Sequence, residues 1–79
     1  MRYFFHLRQS QGYVIDDEGV ELADGDAVLA AATIGARSII AGEAMDGRLP
    51  LLSIIEVDDE NGLRVLDLPF REAVLLECE

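Results

Sequence analysis

The chain of 79 residues contains no lysine and no tryptophan, and it has only one cysteine and one histidine. Its six basic residues are all arginines and stand against sixteen acidic residues, which gives a formal net charge of -10. Proteins that bind nucleic acids do so largely through basic contacts to phosphates, so we expect no nucleic-acid partner. A charge of this sign and size is suited instead to attracting a basic protein.

The scarcity of cysteine and histidine excludes two common ways of stabilising a small domain. Cys78 has no partner for a disulfide within the chain, and its neighbours Glu77 and Glu79 disfavour the thiolate, so we expect an unreactive thiol. No C-x-x-C or H-x-x-x-H spacing is present, so we expect no metal and no cofactor. One unpaired cysteine is typical of a reducing compartment, which favours the cytoplasm.

Long apolar runs are also missing. The N-terminal apolar run around Phe4 is shorter than the core of a signal peptide, and no stretch approaches the roughly 18 apolar residues of a membrane span. We therefore expect no membrane partner. Residues 1–79 form a single domain, and a domain of this size buries only about 60% of its unfolded surface. A second subunit is the expected additional source of stability, which predicts a homodimer.

Alternating residue types predict a first hairpin near the N-terminus. The segment 3–8 alternates between two faces, one with Tyr3, Phe5 and Leu7 and the other with Phe4, His6 and Arg8. A polar turn and a short strand over 13–15 follow. The acidic turn 16–19 then leads through the extended segment 20–22 towards a helix.

The middle of the chain predicts one long helix from about Gly25 to about Ala44, with Asp24 as N-cap and Gly47 at its end. The helix is apolar nearly all round. One stripe is formed by Ala27, Ala31, Ile34, Ala41 and Met45, with Val28, Ala32 and Ile39 beside it. We expect Leu29 and Ile40 on the far side, where a second subunit would cover them.

Asn61-Gly62 is a strong signature of a β-hairpin with a two-residue turn. This register predicts the pairs Asp59–Arg64, Val57–Leu66 and Ile55–Leu68. The face towards the helix then carries Ser53, Ile55, Val57, Leu66, Leu68 and Phe70. The opposite face carries Ile54, Glu56, Asp58, Val65 and Asp67. Residues 70–76 are expected to form a short helix or an extended tail.

The order of elements is hairpin, helix, hairpin, which predicts an α+β fold with a four-stranded antiparallel sheet and the helix packed on one face. Phe4, Leu29 and Ile40 are the candidate interface residues. Glu56, Asp58 and Asp67 form a candidate acidic patch on the open sheet face, where like charges lie opposite one another.

Three interpretations of this patch are open: a divalent cation bound by carboxylates, ion pairing with Arg2, His6 and Arg8 of the first strand, or a solvated acidic face. His6 is the only candidate general base, and none of Ser10, Ser38, Ser53 or Cys78 lies in a nucleophile motif. We therefore expect no enzymatic activity.

Three segments carry a resemblance to a known family. They are the start Arg2-Tyr3-Phe4-Phe5-His6-Leu7, the passage Asp16-Asp17-Glu18-Gly19-Val20-Glu21-Leu22 followed by Asp24 and Ala27, and the closing segment from Ile55 through Asn61-Gly62 to Val74. The chain resembles a family of small alphaproteobacterial proteins with a domain of unknown function. It departs from the family pattern slightly, at Leu68 and Glu72. The resemblance implies no activity and no catalytic residues.

A weaker, purely topological resemblance is to small antitoxins of the HicB kind, from which the chain departs by lacking a DNA-binding tail. We therefore expect a non-enzymatic, cytosolic, self-associating interaction module. The alternatives are an antitoxin-like regulator of a basic partner and a protein that binds a divalent metal through the acidic patch.

Overall fold

The computed structural model describes residues 1–75 and shows one long helix packed on an antiparallel sheet. Its elements, in chain order, are β1 (Arg2–Gln9), β2 (Gly12–Val14), β3 (Val20–Glu21), α1 (Gly25–Met45), β4 (Ile54–Asp59), β5 (Arg64–Pro69) and a 3-10 turn (Phe70–Glu72). The mixed α+β class is confirmed. Cys78 and the last residue of the segment predicted over 70–76 lie outside the described residues.

The sheet has five strands rather than the predicted four. Its order is β2-β1-β4-β5, and β3 pairs with β1 as well. Arg2 pairs with Glu21 and Tyr3 with Val20, although the sequence suggested only an extended connection there. Because β1 is eight residues long and β2 pairs only with its last three, β3 can occupy the other end of the same edge.

Asp16 holds the chain at the gap between β2 and β3. Its Oδ2 accepts a hydrogen bond from the Phe5 N–H at 3.0 Å, in the place of a backbone partner. Its Oδ1 accepts from the N–H groups of Glu18 at 3.1 Å and Gly19 at 3.2 Å. The side chain thus continues the hydrogen bonding of the sheet edge and fixes the turn that starts β3.

The helix ends are formed as the sequence predicts. Asp24 Oδ1 accepts from the Ala27 N–H at 2.9 Å, which satisfies one of the free donors of the first turn. At the other end Gly47 adopts a φ of +83° and donates its N–H to the carbonyl of Ala44 at 3.0 Å. The helix extends one residue beyond the predicted Ala44, to Met45.

The apolar stripe of the helix that includes Ile34 and Met45 does not face the sheet. The buried positions are Val28, Ala32 and Ala36, whereas Ile34 and Met45 are 66% and 87% exposed. Ile40 was expected on the far side, but it packs against the core, as Ile39 does. Because both sides of the helix are apolar, the helical period alone does not determine which side faces the sheet.

The predicted register of the second hairpin is confirmed along most of its length, in the pairs Val57–Leu66 and Ile55–Leu68. Near the turn the register shifts by one residue, so that Arg64 lies opposite Asp58 instead of Asp59. The shift leaves Val65 as an extra residue on β5. A bulge of this kind changes which face the following side chains occupy, and it places Arg64 on the side of the sheet away from the helix.

The core lies between α1 and the sheet. Its buried residues are Val28, Ala32, Ala36, Ile55, Val57, Leu68, Phe70 and Ala73, and half-buried Tyr3, Phe5, Leu7, Leu22 and Leu66 pack around them. The predicted helix-side face of the second hairpin is therefore confirmed. Phe70 and Val57 are fully buried, and the Phe70 N–H donates to the Ser53 carbonyl at 2.8 Å, which ties the 3-10 turn to the sheet.

Candidate functional site

The sheet face turned away from the helix, here called the outer face, carries a connected set of charged side chains. It is formed by Phe4, His6, Arg8, Tyr13, Glu56, Asp58, Arg64 and Asp67. The register brings the three acids of the predicted patch together, since Glu56 lies opposite both His6 and Asp67. Phe4 lies opposite Asp58 and is half-buried rather than freely exposed.

Glu56 is the buried centre of the outer face. Its side chain is 8% exposed, and its Oε2 lies 2.7 Å from Arg8 Nε. Its Oε1 lies 3.3 Å from nitrogens of both Arg8 and Arg64. The hydrogen bond from Arg8 is the largest influence on the pKa of Glu56, which lies below its ordinary value although burial acts in the opposite direction.

Arg64 joins all three acids of the patch. Besides Glu56, it reaches Asp58 Oδ1 through Nε at 2.7 Å and Asp67 Oδ1 through Nη1 at 2.8 Å. These bonds, with that to Asp58 first, raise the pKa of the guanidinium. Sequence reasoning placed Arg64 on the opposite face beside Asp59. The bulge that moves it depends on the shape of the turn, and the Asn61-Gly62 signature does not predict a bulge.

Arg8 also covers Tyr13. Its guanidinium carbon lies 4.4 Å from the centre of the Tyr13 ring, which is a cation–π geometry. Partial desolvation of the phenol, and then the nearby carboxylate of Glu56, raise the pKa of Tyr13. The arginine thus links Glu56 to the Tyr13 ring.

His6 links the outer face to the turn of Asp16. Its Nδ1 accepts the Asp16 N–H at 3.0 Å, so the ring carries its proton on Nε2, which lies 3.3 Å from Asp58 Oδ2. The residue is 9% exposed. Both nitrogens are therefore engaged in the fold, and this geometry corresponds to the predicted ion-paired or packed histidine rather than to a general base.

The contacts of the outer face correspond to the ion-pairing interpretation of the acidic patch, with Arg8 and His6 as predicted and Arg64 in addition. Arg2 instead contacts Glu18 and Glu21 at the sheet edge. Among residues 1–75, no group of three or more metal-ligating side chains is arranged to hold an ion. These ion pairs can stabilise the sheet. Each of the three acids, Glu56, Asp58 and Asp67, already has a basic neighbour.

A second surface of interest is the part of α1 that the sheet does not cover. We call it the exposed helix side, and it is formed by Ala30, Ile34, Ser38, Ala41 and Met45. Every one of these residues is exposed. Leu29, 48% exposed, lies on a neighbouring side of the helix. Only Asp26 and Arg37 are charged among the exposed helical positions, and Arg37 Nε is bound to the Ala73 carbonyl at 2.6 Å.

A third surface lies on the helix side of the sheet itself. The helix packs mainly on β4, β5 and the 3-10 turn, which leaves the other side of the sheet uncovered. Val14 pairs with Leu7, and Val20 pairs with Tyr3, so both valines point to the helix side of the sheet. They are 57% and 43% exposed. Val14 and Val20 are called the uncovered strip below.

The two edges of the sheet are poor sites for adding a strand. One edge is divided between β2, with three residues, and β3, with two. On the other edge, the Phe70 N–H donates to the Ser53 carbonyl and so points towards β4. Because backbone groups along a strand alternate in direction, the backbone nitrogen of the preceding residue, Pro69, points away from the sheet. Pro69 has no N–H to donate there, and the bulge at Val65 distorts the rest of β5.

Contrary to the expectation from the sequence, helix α1 is long and apolar enough, by length and composition alone, to cross a membrane. Its most apolar 18-residue window has a mean hydropathy of 1.3, and 22% of that window is buried. The core helix of a globular protein has the same properties, and the buried positions of α1 do pack on the sheet.

Residues 2–71 match the family model of a domain of unknown function, DUF6894. The chain belongs to this family. The match includes every strand, the helix, and the outer face with its Asp16 turn, and it confirms the expected membership of a family without an assigned activity. No curated protein and no solved structure matches the chain.

Proposed function

We propose that this chain is a non-enzymatic protein-interaction module that forms a homodimer through its exposed helix side. The observation that carries the proposal is the apolar character of α1 on the sides that the sheet does not cover. A helix that is apolar all round is typically buried all round. Ile34 at 66% exposure and Met45 at 87% are left for a partner to cover.

The other surfaces of the described residues are less suited to self-association. The acids of the outer face are already bonded to Arg8 and Arg64, and separating them would expose the buried carboxylate of Glu56. The sheet edges are short or lack donors, as described above. The exposed helix side is therefore the surface whose burial removes apolar area from water without breaking an existing ion pair.

Charge restricts where a second copy can dock. Each copy carries a net charge of -10, so two copies repel one another wherever acidic surfaces meet. None of the five residues of the exposed helix side is charged. An interface there keeps the acidic surfaces apart, and salt screens the remaining repulsion.

A substitution pair tests the proposal. Ile34→Asp places a charge in the expected interface, and Leu63→Asp is the matched control, since Leu63 is 64% exposed at the turn between β4 and β5. We expect Ile34→Asp to raise the dimer Kd by at least about 30-fold, the loss of roughly 2 kcal/mol that is typical of a central interface residue, and Leu63→Asp to leave it nearly unchanged. Sedimentation equilibrium measures both. Equal effects of the two variants would contradict the proposal.

A basic partner protein is the alternative that the net charge favours. Binding of that kind weakens as salt screens the charges, whereas the apolar self-association proposed here persists or tightens. For the metal-binding alternative, calorimetric titration with Mg²⁺, Ca²⁺, Mn²⁺ and Zn²⁺ is the direct test. A cation at the outer face would have to displace Arg64 from three carboxylates, so we expect no binding heat.

A further inference from the structure

We propose that in the dimer the α1 helix of each copy covers the uncovered strip of the other. The two helices then lie side by side between two sheets, in three layers. This inference rests on the proposed self-association and adds which surface of one copy meets which surface of the other.

The width of the sheet gives the first argument. Four strand positions at a spacing of about 4.8 Å form a sheet roughly 15 to 19 Å wide, while a helix with its side chains is about 10 Å across. Helix α1 therefore covers about half of the sheet, and its contacts with β4, β5 and the 3-10 turn show which half. The space above the β2 and β3 side is about as wide as one more helix.

The orientation of α1 gives the second argument. Successive residues of a helix are about 100° apart, so Leu29 lies roughly 80° round the helix from the line through Val28 and Ala32, whereas Ile34 lies about 140° round in the other direction. Leu29 lines a cleft of about 300 Å³ together with Tyr3 of β1 and with Val65 and Leu66 of β5. Ile34 and Met45 therefore point away from the sheet of their own copy, on the side of α1 that the sheet of a second copy can meet.

The two surfaces are complementary in chemistry and size. Val14 and Val20 are apolar and exposed, and their neighbours on β1, Leu7 and Tyr3, are only half-buried. The facing residues of a second α1 alternate between large side chains, at Ile34 and Met45, and small ones. Small residues allow a helix to approach a sheet closely, as Ala32 and Ala36 do in the core of one copy. No charged residue belongs to either surface.

The arrangement also explains why no side of α1 is polar. One side contacts the sheet of its own copy, a flank contacts the neighbouring helix, and the remaining side contacts the sheet of the second copy. The side of α1 that carries Ile34 and Met45, which is left exposed in a single chain, thus has a stated neighbour in the dimer.

Cross-linking between separately labelled copies tests the arrangement. In a Cys78→Ser background, each of Val14→Cys, Ile34→Cys and Asp67→Cys carries one thiol. Asp67 is exposed on the outer face, away from the proposed partner, and serves as the control. Isotopically distinct chains are mixed in pairs and treated with a bismaleimide that spans about 10 Å, which is the width of a helix. Mass spectrometry then counts the mixed products.

We expect at least a tenfold excess of the product joining position 14 of one copy to position 34 of the other over the product joining 67 to 34. A stable dimer that gives no such excess would overturn this arrangement and leave the proposed function standing. Monomeric protein at every concentration would overturn both. Circular dichroism spectra matching that of the unmodified chain confirm that the three variants are folded.

Discussion

At the scale of single residues, Gly19 is a position where an added side chain would be both strained and crowded. Its φ of +73° is a left-handed conformation, and an added Cβ would lie 2.9 Å from the Tyr3 carbonyl oxygen. Gly47 has a similar φ of +83° but nothing within 4 Å of such an atom. The two glycines therefore differ in their surroundings and not in their backbone conformation.

We expect Gly19→Ala to lower the free energy of unfolding by about 2 to 3 kcal/mol, and Gly47→Ala by about 1 kcal/mol, which is the conformational cost alone. Urea denaturation of both variants measures the difference. Equal losses would show that the backbone of β1 moves away from the new methyl group, and that the turn held by Asp16 is not rigid.

Glu56 is a residue at which stability depends on pH. Its pKa in the folded chain lies below its ordinary value of 4.5, because Arg8 donates to it. At a pH between the folded and the unfolded pKa of Glu56, the unfolded chain binds more protons than the folded chain does. The free energy of unfolding therefore decreases as the pH falls through this range. We expect the urea midpoint to fall in acid more steeply for the unmodified chain than for Glu56→Gln. Parallel pH profiles would contradict this.

At the scale of elements, the bulge in β5 determines the character of the outer face, because it places Arg64 among three carboxylates. Arg48 is the natural control, since it makes a single ion pair with Glu43 and its side chain is 70% exposed. We expect Arg64→Ala to lower the free energy of unfolding by about 2 kcal/mol or more, because a buried carboxylate loses a partner. For Arg48→Ala we expect less than about 0.5 kcal/mol. Thermal or urea unfolding measures both, and similar losses would show that the three bonds of Arg64 are redundant.

The elements differ in how far the sequence predicts them. The helix bounds and the Asp24 cap follow from local signals, and the pairs Val57–Leu66 and Ile55–Leu68 follow from the turn. The capping and turn signals do not predict the bulge, because it changes the strand register by one residue without changing the pattern of apolar residues in the sequence. Strand β3 was missed because two residues have too little pattern of their own, and they pair only when Asp16 bends the chain towards β1.

At the scale of the whole molecule, the sequence predicted two layers and an apolar helix but not the half-covered sheet. Which side of α1 meets the sheet depends on contacts distant in the sequence, such as those of Ala36 and Ile40 with the core. In a helix that is apolar on several sides, the sequence shows no difference in polarity that would identify the side facing the sheet. The same lack of contrast supports the proposed dimer, because Val14, Val20 and Ile34 remain exposed in a single chain.

The dimer itself is the central claim, and light scattering across a concentration series tests it most directly. Measured at low salt and at about 0.5 M salt, where charges more than a few ångströms apart are screened, the mass is expected to reach twice the 8.7 kDa of one chain. We expect the dimer to persist or tighten in the high-salt series, because its interface is apolar. A mass of 8.7 kDa at every concentration and both salt levels would contradict the account.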